Sequence, residues 1–224
     1  MNKFLFPIYA VILGVVIAYF TKNKTSLNTK LLLSFSGAFL LALTLFELLP
    51  EVYNHLDTKI TGVFIMSGIM LQIILELFSK GAEHGHVHIH KEETNFPWLL
   101  FISLCIHSFL EGFPIHQHND MVYGVLIHKI PIAAIVSIFL FKSNYSKLQI
   151  GAFLLLFAIM TPLGTLLSHS ANLSEHFALS INAIVIGIFF HIATTILFES
   201  GDGHKFNLSK FISIILGVGI AYLI

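Results

Sequence analysis

Eight apolar runs, each close to the length of a bilayer crossing, constrain this chain more than any other feature. They fall at Phe4–Phe20, Leu31–Leu49, Ile60–Phe78, Phe96–Phe113, Met121–Phe141, Leu148–Ser168, Phe177–Phe198 and Phe206–Ile224, with short polar breaks between them. About 20 apolar residues cross the hydrocarbon core as a helix. In lipid each backbone polar group must find its partner inside the structure, which leaves helices for runs of this length. The expected fold is an all-α integral membrane protein of eight transmembrane helices, with residues 1–224 forming a single transmembrane domain. Composition points the same way: 56% of the residues are hydrophobic and 11% are charged, against about half and a quarter in a soluble domain.

The first run reads as a retained helix rather than a signal peptide. It has no small-x-small cleavage site, and most nearby lysines follow it, at Lys22, Lys24 and Lys30. Lysine placement also predicts orientation. Lys22, Lys24, Lys30, Lys80, Lys91, Lys142, Lys147, Lys205 and Lys210 fall in the connections 1–2, 3–4, 5–6 and 7–8, whereas Lys3 and Lys59 fall on the opposite face. By the positive-inside rule both termini face outward and the 3–4 connection is cytoplasmic. The expected location is a cell membrane, with a bacterial inner membrane favoured by compact length and the lack of a cleavable presequence.

The net charge of +0 carries no nucleic-acid footprint. No Gly-x-x-x-x-Gly-Lys-[Ser/Thr] loop is present, so no nucleotide engine of that type is expected. The single cysteine, Cys105, lies in an apolar run, so no intrachain disulfide can form. The 13 histidines stand out instead.

Ionisable groups at membrane depth are costly and mark cavities or ion paths. His107 and Glu111 are four residues apart in the fourth run, on one face of a helix. His128 follows in the fifth. Imidazole and carboxylate together suit zinc and related divalent ions. Three such ligands leave a coordination position open, as transport requires, because an ion held too tightly cannot leave. Lys129, beside His128, is well inside its span. Its ammonium needs compensation, and Glu111 is the expected partner rather than the interface reached by snorkelling. Pro131 and Pro162 sit inside runs five and six, where a missing N–H frees a carbonyl and a kink is expected.

Residues 80–95 form the 3–4 connection, in which His84, His86, His88 and His90 alternate and share one edge when extended. Short histidine-rich tracts bind borderline divalent metals. The outer connections carry Glu51, His55, Asp57, His116, His118, Asp120, His169, Glu175 and His176, a rim that would concentrate cations or simply be solvated loop. His191 in run seven and Glu76 in run three read as isolated groups in the inner half, candidates for an exit path. Leu45-Phe46-Glu47 and Leu197-Phe198-Glu199 close runs two and seven on opposite faces, as an inverted repeat of spans 1–3 and 6–8 would produce. The pair Ile12-Leu13-Gly14-Val15 and Ile215-Leu216-Gly217-Val218 does not fit that scheme.

These residues together resemble the ZIP (Zrt/Irt-like) divalent-metal transporters. His107-Ser108-Phe109-Leu110-Glu111-Gly112 looks like the family's span-four motif, and His128-Lys129-Ile130-Pro131 like its span-five motif. Leu48-Leu49-Pro50-Glu51 and Thr161-Pro162-Leu163-Gly164 look like its span-two and span-six signatures. The resemblance implies a 3+2+3 arrangement of the spans, spans 2, 4, 5 and 7 moving the ion past a more static wall, and alternating access inward. It implies His107, Glu111 and His128 as ligands of one site. Family members with two metals have carboxylates or an amide where this chain has Ser108, Lys129, Ile132 and Thr161, so the second site is expected to be vacated, similar to the animal subgroup with His-Lys in span five. Glu47, Ser108, His191 and Glu199 are second-tier candidates for the metal path.

The expected function is uptake of a divalent ion, zinc before Fe2+, Mn2+, Co2+ or Cd2+, as transported substrate and with no cofactor. The expected partners are the ion and the bilayer, with no nucleic acid and with a homodimer as an open arrangement. Two rivals carry weight: an intramembrane zinc hydrolase, against which stands the absence of a His-Glu-x-x-His helix, and a metal sensor that binds without transport.

Overall fold

A computed structural model describes residues 3–21, 29–79, 96–117, 120–170, 173–199 and 208–224. The His84–His90 tract lies outside the described residues, as does His118. Every regular element among the described residues is helical: α1 (Phe6–Thr21), α2 (Thr29–Leu43), α3 (Leu49–His55), α4 (Thr58–Ser79), α5 (Trp98–Leu110), α6 (Pro114–Gln117), α7 (Met121–Lys142), α8 (Lys147–Ser170), α9 (Glu175–Glu199) and α10 (Leu208–Leu223).

The eight apolar runs correspond to α1, α2–α3, α4, α5, α7, α8, α9 and α10. Five of these are long and apolar enough to cross a membrane, while Phe6–Thr21, Trp98–Leu110 and Leu208–Leu223 are shorter apolar helices. Two ends differ from the sequence expectation, each for a local reason. Run two does not stop at Leu49. It passes through a π segment, Thr44–Leu48, in which the Leu49 N–H donates to the Thr44 carbonyl, and then continues as α3 to His55. Pro50 lacks an N–H and its ring crowds the carbonyl four residues back, so the wider turn accommodates it without ending the helix. Run four, in contrast, leaves the helix at Glu111, because the next N–H groups turn back one residue early, Gly112 to Phe109 and Phe113 to Leu110. Pro131 and Pro162 both lie inside continuous helices, α7 and α8.

Large apolar side chains cover the outside, among them Phe20, Leu77, Leu148 and Phe198. That surface suits lipid rather than water. Interior hydroxyls are largely satisfied within their own helices: Ser34 donates to Lys30, Thr44 to Leu40 and Thr61 to Asp57 carbonyls. Such back-bonding hides a polar group in an apolar surround.

Four helix pairings dominate the interior: α1 with α7, α5 with α8, α4 with α9, and α2 with α10. Each is made where a glycine lets backbones touch. A Cβ on Gly14 would lie 2.8 Å from the Ile130 carbonyl oxygen, one on Gly112 2.2 Å from that of Thr161, one on Gly68 1.9 Å from that of Ile184, and one on Gly217 2.7 Å from that of Phe35. Without a hydrophobic drive between helices in lipid, close packing of small residues and hydrogen bonds supply the association. The likeness of Ile12-Leu13-Gly14-Val15 to Ile215-Leu216-Gly217-Val218 has its reason here, since Gly14 and Gly217 do the same packing work on different partners. In span numbering the pairings are 1–5, 6–4, 3–7 and 8–2, a set unchanged when spans 1, 2 and 3 exchange with 6, 7 and 8 and span 4 with 5.

Candidate metal centre

The chemistry gathers where the end of α5, the middle of α7 and the middle of α8 meet. His107 and Ser108 lie in the last turn of α5 and Glu111 caps it. His128 and Lys129 come from α7, and Thr161 from α8. All six are buried, with Glu111, His128 and Lys129 each 1% exposed.

The two glycines of the motifs build this meeting. A Cβ on Gly112 would run into the Thr161 carbonyl, and one on Gly164 would sit 2.0 Å from the Phe109 carbonyl oxygen and 3.4 Å from the Gly112 Cα. Thr165 completes the clamp by donating to the Gly112 carbonyl at 2.8 Å. The end of α5 is thereby pressed onto α8, and Thr161 reaches the carboxylate of Glu111.

The carboxylate is divided between two surroundings. Its Oε1 accepts hydrogen bonds from the Lys129 ammonium and from the Thr161 hydroxyl, the latter at 2.7 Å. Its Oε2 faces the His107 Nε2 at 3.4 Å. The His107 and His128 rings meet edge to face with centroids 6.1 Å apart. The Lys129 Nζ also donates to Ser108 Oγ and Thr161 Oγ1, both at 2.9 Å, and stands 4.3 Å over the Phe157 ring. A buried ammonium thus has three oxygen acceptors and an aromatic face, which is the compensation a charge needs in a low-dielectric interior. The expected Lys129–Glu111 pair is present, and Lys129 does not snorkel. Ser108, Lys129 and Thr161 form one hydrogen-bonded set with Glu111, while Ile132, the fourth position of the expected vacated site, is buried in the apolar core.

With Lys129 on the carboxylate, the described residues contain no group of three or more His, Cys, Asp or Glu side chains arranged to hold an ion. His107, Glu111 and His128 are neighbours but not yet a coordination sphere. Elsewhere the candidates scatter. Glu47 is exposed in the π segment, and Glu199 ends α9. The outer rim is partly helix capping: Asp57 accepts from the Lys59 and Ile60 N–H groups at 3.0 and 3.1 Å, and the His55 ring bonds the Glu51 carbonyl. His191 and Glu76 are not isolated, as their positions in sequence suggested. His191 Nε2 lies 2.5 Å from Glu76 Oε2, across the α4–α9 pairing. Sequence reasoning missed this pair because 115 positions separate the two residues. The only signal available was that each is an ionisable group within an apolar run.

The model of the family described as "ZIP Zinc transporter" matches residues 79–224. The chain belongs to this family. The matched region holds the whole centre on α5, α7 and α8. Among curated proteins, the chain is 31% identical over 155 residues to "Zinc transporter ZIP1" of Plasmodium falciparum (isolate 3D7), covering 61% of this chain and 43% of that protein. It is 32% identical over 87 residues to "Zinc transporter ZIP1" of Danio rerio, covering 36% of this chain and 29% of that protein. It is 28% identical over 106 residues to "Protein zntD" of Dictyostelium discoideum, covering 39% and 16%. The chain thus spans less than half the length of each of these relatives. ZIP family members are transporters, not enzymes, and the hydrolase rival falls with that membership.

Proposed function

We propose that this protein imports a divalent metal ion, zinc first, through a single site built by His107, Glu111 and His128. The observation that carries this reading is the division of Glu111. Oε2 faces His107, where an arriving ion would bind with imidazole nitrogen and carboxylate oxygen, a donor set suited to zinc. Oε1 is occupied by Lys129 and Thr161. Lys129 then serves as a fixed cation in the position of a second metal, so one ion is carried and the carboxylate never faces the interior uncompensated. Closing of the His128 ring toward the ion would complete three protein ligands, with water or a fourth donor in the open position.

Family membership supports the movement. Spans 2, 4, 5 and 7 carry the ion past the other four by alternating access, and spans 1–3 and 6–8 are inverted repeats of each other. The exchange-invariant pairing pattern supports the repeat; Leu45-Phe46-Glu47 does not, since it lies inside span two rather than at its end. The lysine distribution supports outward termini and a cytoplasmic 80–95 connection, whose histidines would take up released ion.

The test is uptake of radioactive zinc into proteoliposomes by the full chain and by Glu111→Ala and His128→Ala. Saturable uptake in the native protein, lost in both variants, is the expected result. Zinc bound in detergent but never delivered to the lumen would replace transport with a sensor role.

A further inference from the structure

Span 8, the helix α10, is one of the four spans past which the ion is carried in the proposed function, and it bonds to two of the four that carry it. Lys210 Nζ donates to the Leu197 carbonyl of α9 at 2.5 Å, and Ser213 Oγ donates to the Leu31 carbonyl of α2 at 2.8 Å. The two donors lie in the first half of α10 and share a helix face with Gly217. Their acceptors lie at one end of the molecule. Leu197 is in the last turn of α9, before the 7–8 connection, and Leu31 is in the first turn of α2, after the 1–2 connection. This is the lysine-rich end of the chain.

These bonds do something that the packing beside them does not. Gly217 sets how near α10 and α2 stand, since its Cβ would lie 2.7 Å from the Phe35 carbonyl oxygen, but it offers no side chain to interlock. A hydrogen bond to one particular carbonyl sets register instead. The Leu197 carbonyl is among the last four of its helix, which have no intrahelical donor, and the helix dipole favours an ammonium there. A slide of about 3 Å, two residues' rise, takes the short Ser213 side chain out of hydrogen-bond range of Leu31 and draws α9 away from Lys210.

We propose that Lys210 and Ser213 form a latch that keeps spans 2 and 7 in register with span 8 in the conformation seen here, and that both bonds open when the ion is carried. This rests on the movement of spans 2, 4, 5 and 7 in the proposed function. The latch stabilises one conformation alone, so it sets how often the resting protein leaves it. One bond from a charged group and one from a hydroxyl together favour the latched conformation by about tenfold or more.

The experiment uses the full chain in nanodiscs, with spin labels at Phe177→Cys of α9 and Leu223→Cys of α10, both exposed and at the opposite end of the bundle from the latch, and with Cys105→Ala removing the native thiol. Pulsed electron paramagnetic resonance gives the label-to-label distances in this background, in the double variant Lys210→Met with Ser213→Ala, and in Lys210→Arg. The expected result is a second distance whose population, relative to the first, rises about tenfold or more in the double variant and stays near the background ratio in Lys210→Arg, which keeps a cationic donor. A second distance with the same ratio in background and double variant would overturn the latch and leave the movement standing. A single distance throughout would overturn the movement, and the latch with it. A ratio raised as much in Lys210→Arg as in the double variant would assign the effect to disturbed packing and overturn the latch.

Discussion

Gly112 and Gly164 meet backbone to backbone, and that contact places Glu111 beside Thr161. A Cβ on either residue would lie 2.2 or 2.0 Å from a carbonyl oxygen of the facing helix, a separation no packed structure sustains. A methyl group at Gly112 or Gly164 therefore has to part α5 from α8. The expected outcome for Gly112→Ala and Gly164→Ala is loss of zinc uptake by about tenfold or more, equivalent to ~1.4 kcal/mol or more. Gly151→Ala, where a Cβ meets nothing within 4 Å, serves as the control and should transport normally. Uptake normalised to inserted protein checks this, and full activity in Gly164→Ala would show that the contact is not needed.

Removing Lys129 leaves the Glu111 carboxylate buried with Thr161 and His107 but without its cation. Breaking one side of a buried ion pair destabilises by about 3–5 kcal/mol. Lys129→Ala should thus unfold at a markedly lower temperature in detergent. Bound zinc should restore more stability to this variant than to the native protein, because the ion now supplies the missing charge. Thermal melts with and without zinc provide the measurement; equal zinc stabilisation of both proteins would contradict the role of fixed cation.

Thr161 can be tested by near-isosteric change. Thr161→Val keeps the shape and removes the hydroxyl that donates to Glu111 and accepts from Lys129. A buried partner left unsatisfied costs about 1–3 kcal/mol. Zinc affinity measured by calorimetry should weaken in Thr161→Val and stay near native in Thr161→Ser, which keeps the hydroxyl. Unchanged affinity in Thr161→Val would remove this residue from the site.

Uptake should also fall in mild acid. An imidazole ligates only when its ligating nitrogen is deprotonated, so protons compete with the ion as pH drops toward the ordinary histidine value of about 6.5. The sign is fixed by ligand chemistry: higher pH favours bound metal, lower pH favours imidazolium. Initial rates of proteoliposome uptake at several external pH values test this, and a flat profile between neutral and mildly acid pH would exclude rate-limiting binding through His107 and His128.

The spans were legible because period and length are local properties: an apolar run of about 20 residues has few other fates. The motif residues His107, Glu111 and His128 stood out as ionisable groups in those runs, and the Lys129–Glu111 pair could be argued from the expense of an uncompensated ammonium. Helix ends were less legible. The π segment before Pro50 and the early exit at Glu111 arise from hydrogen bonds that choose between neighbouring carbonyls, and hydropathy does not register that choice.

The sequence by itself determined a membrane-embedded, all-helical chain with its metal-binding residue types at four-residue spacing on one helix face, since hydropathy and helical periodicity act over neighbouring residues. Only the tertiary structure decided which oxygen of Glu111 faces Lys129 and which faces His107. The same holds for the joining of Glu76 to His191, and for Gly112 meeting Gly164. Those relationships depend on how helices remote in sequence cross, which is settled by where glycines let backbones approach within contact distance and by which buried charges must find partners there.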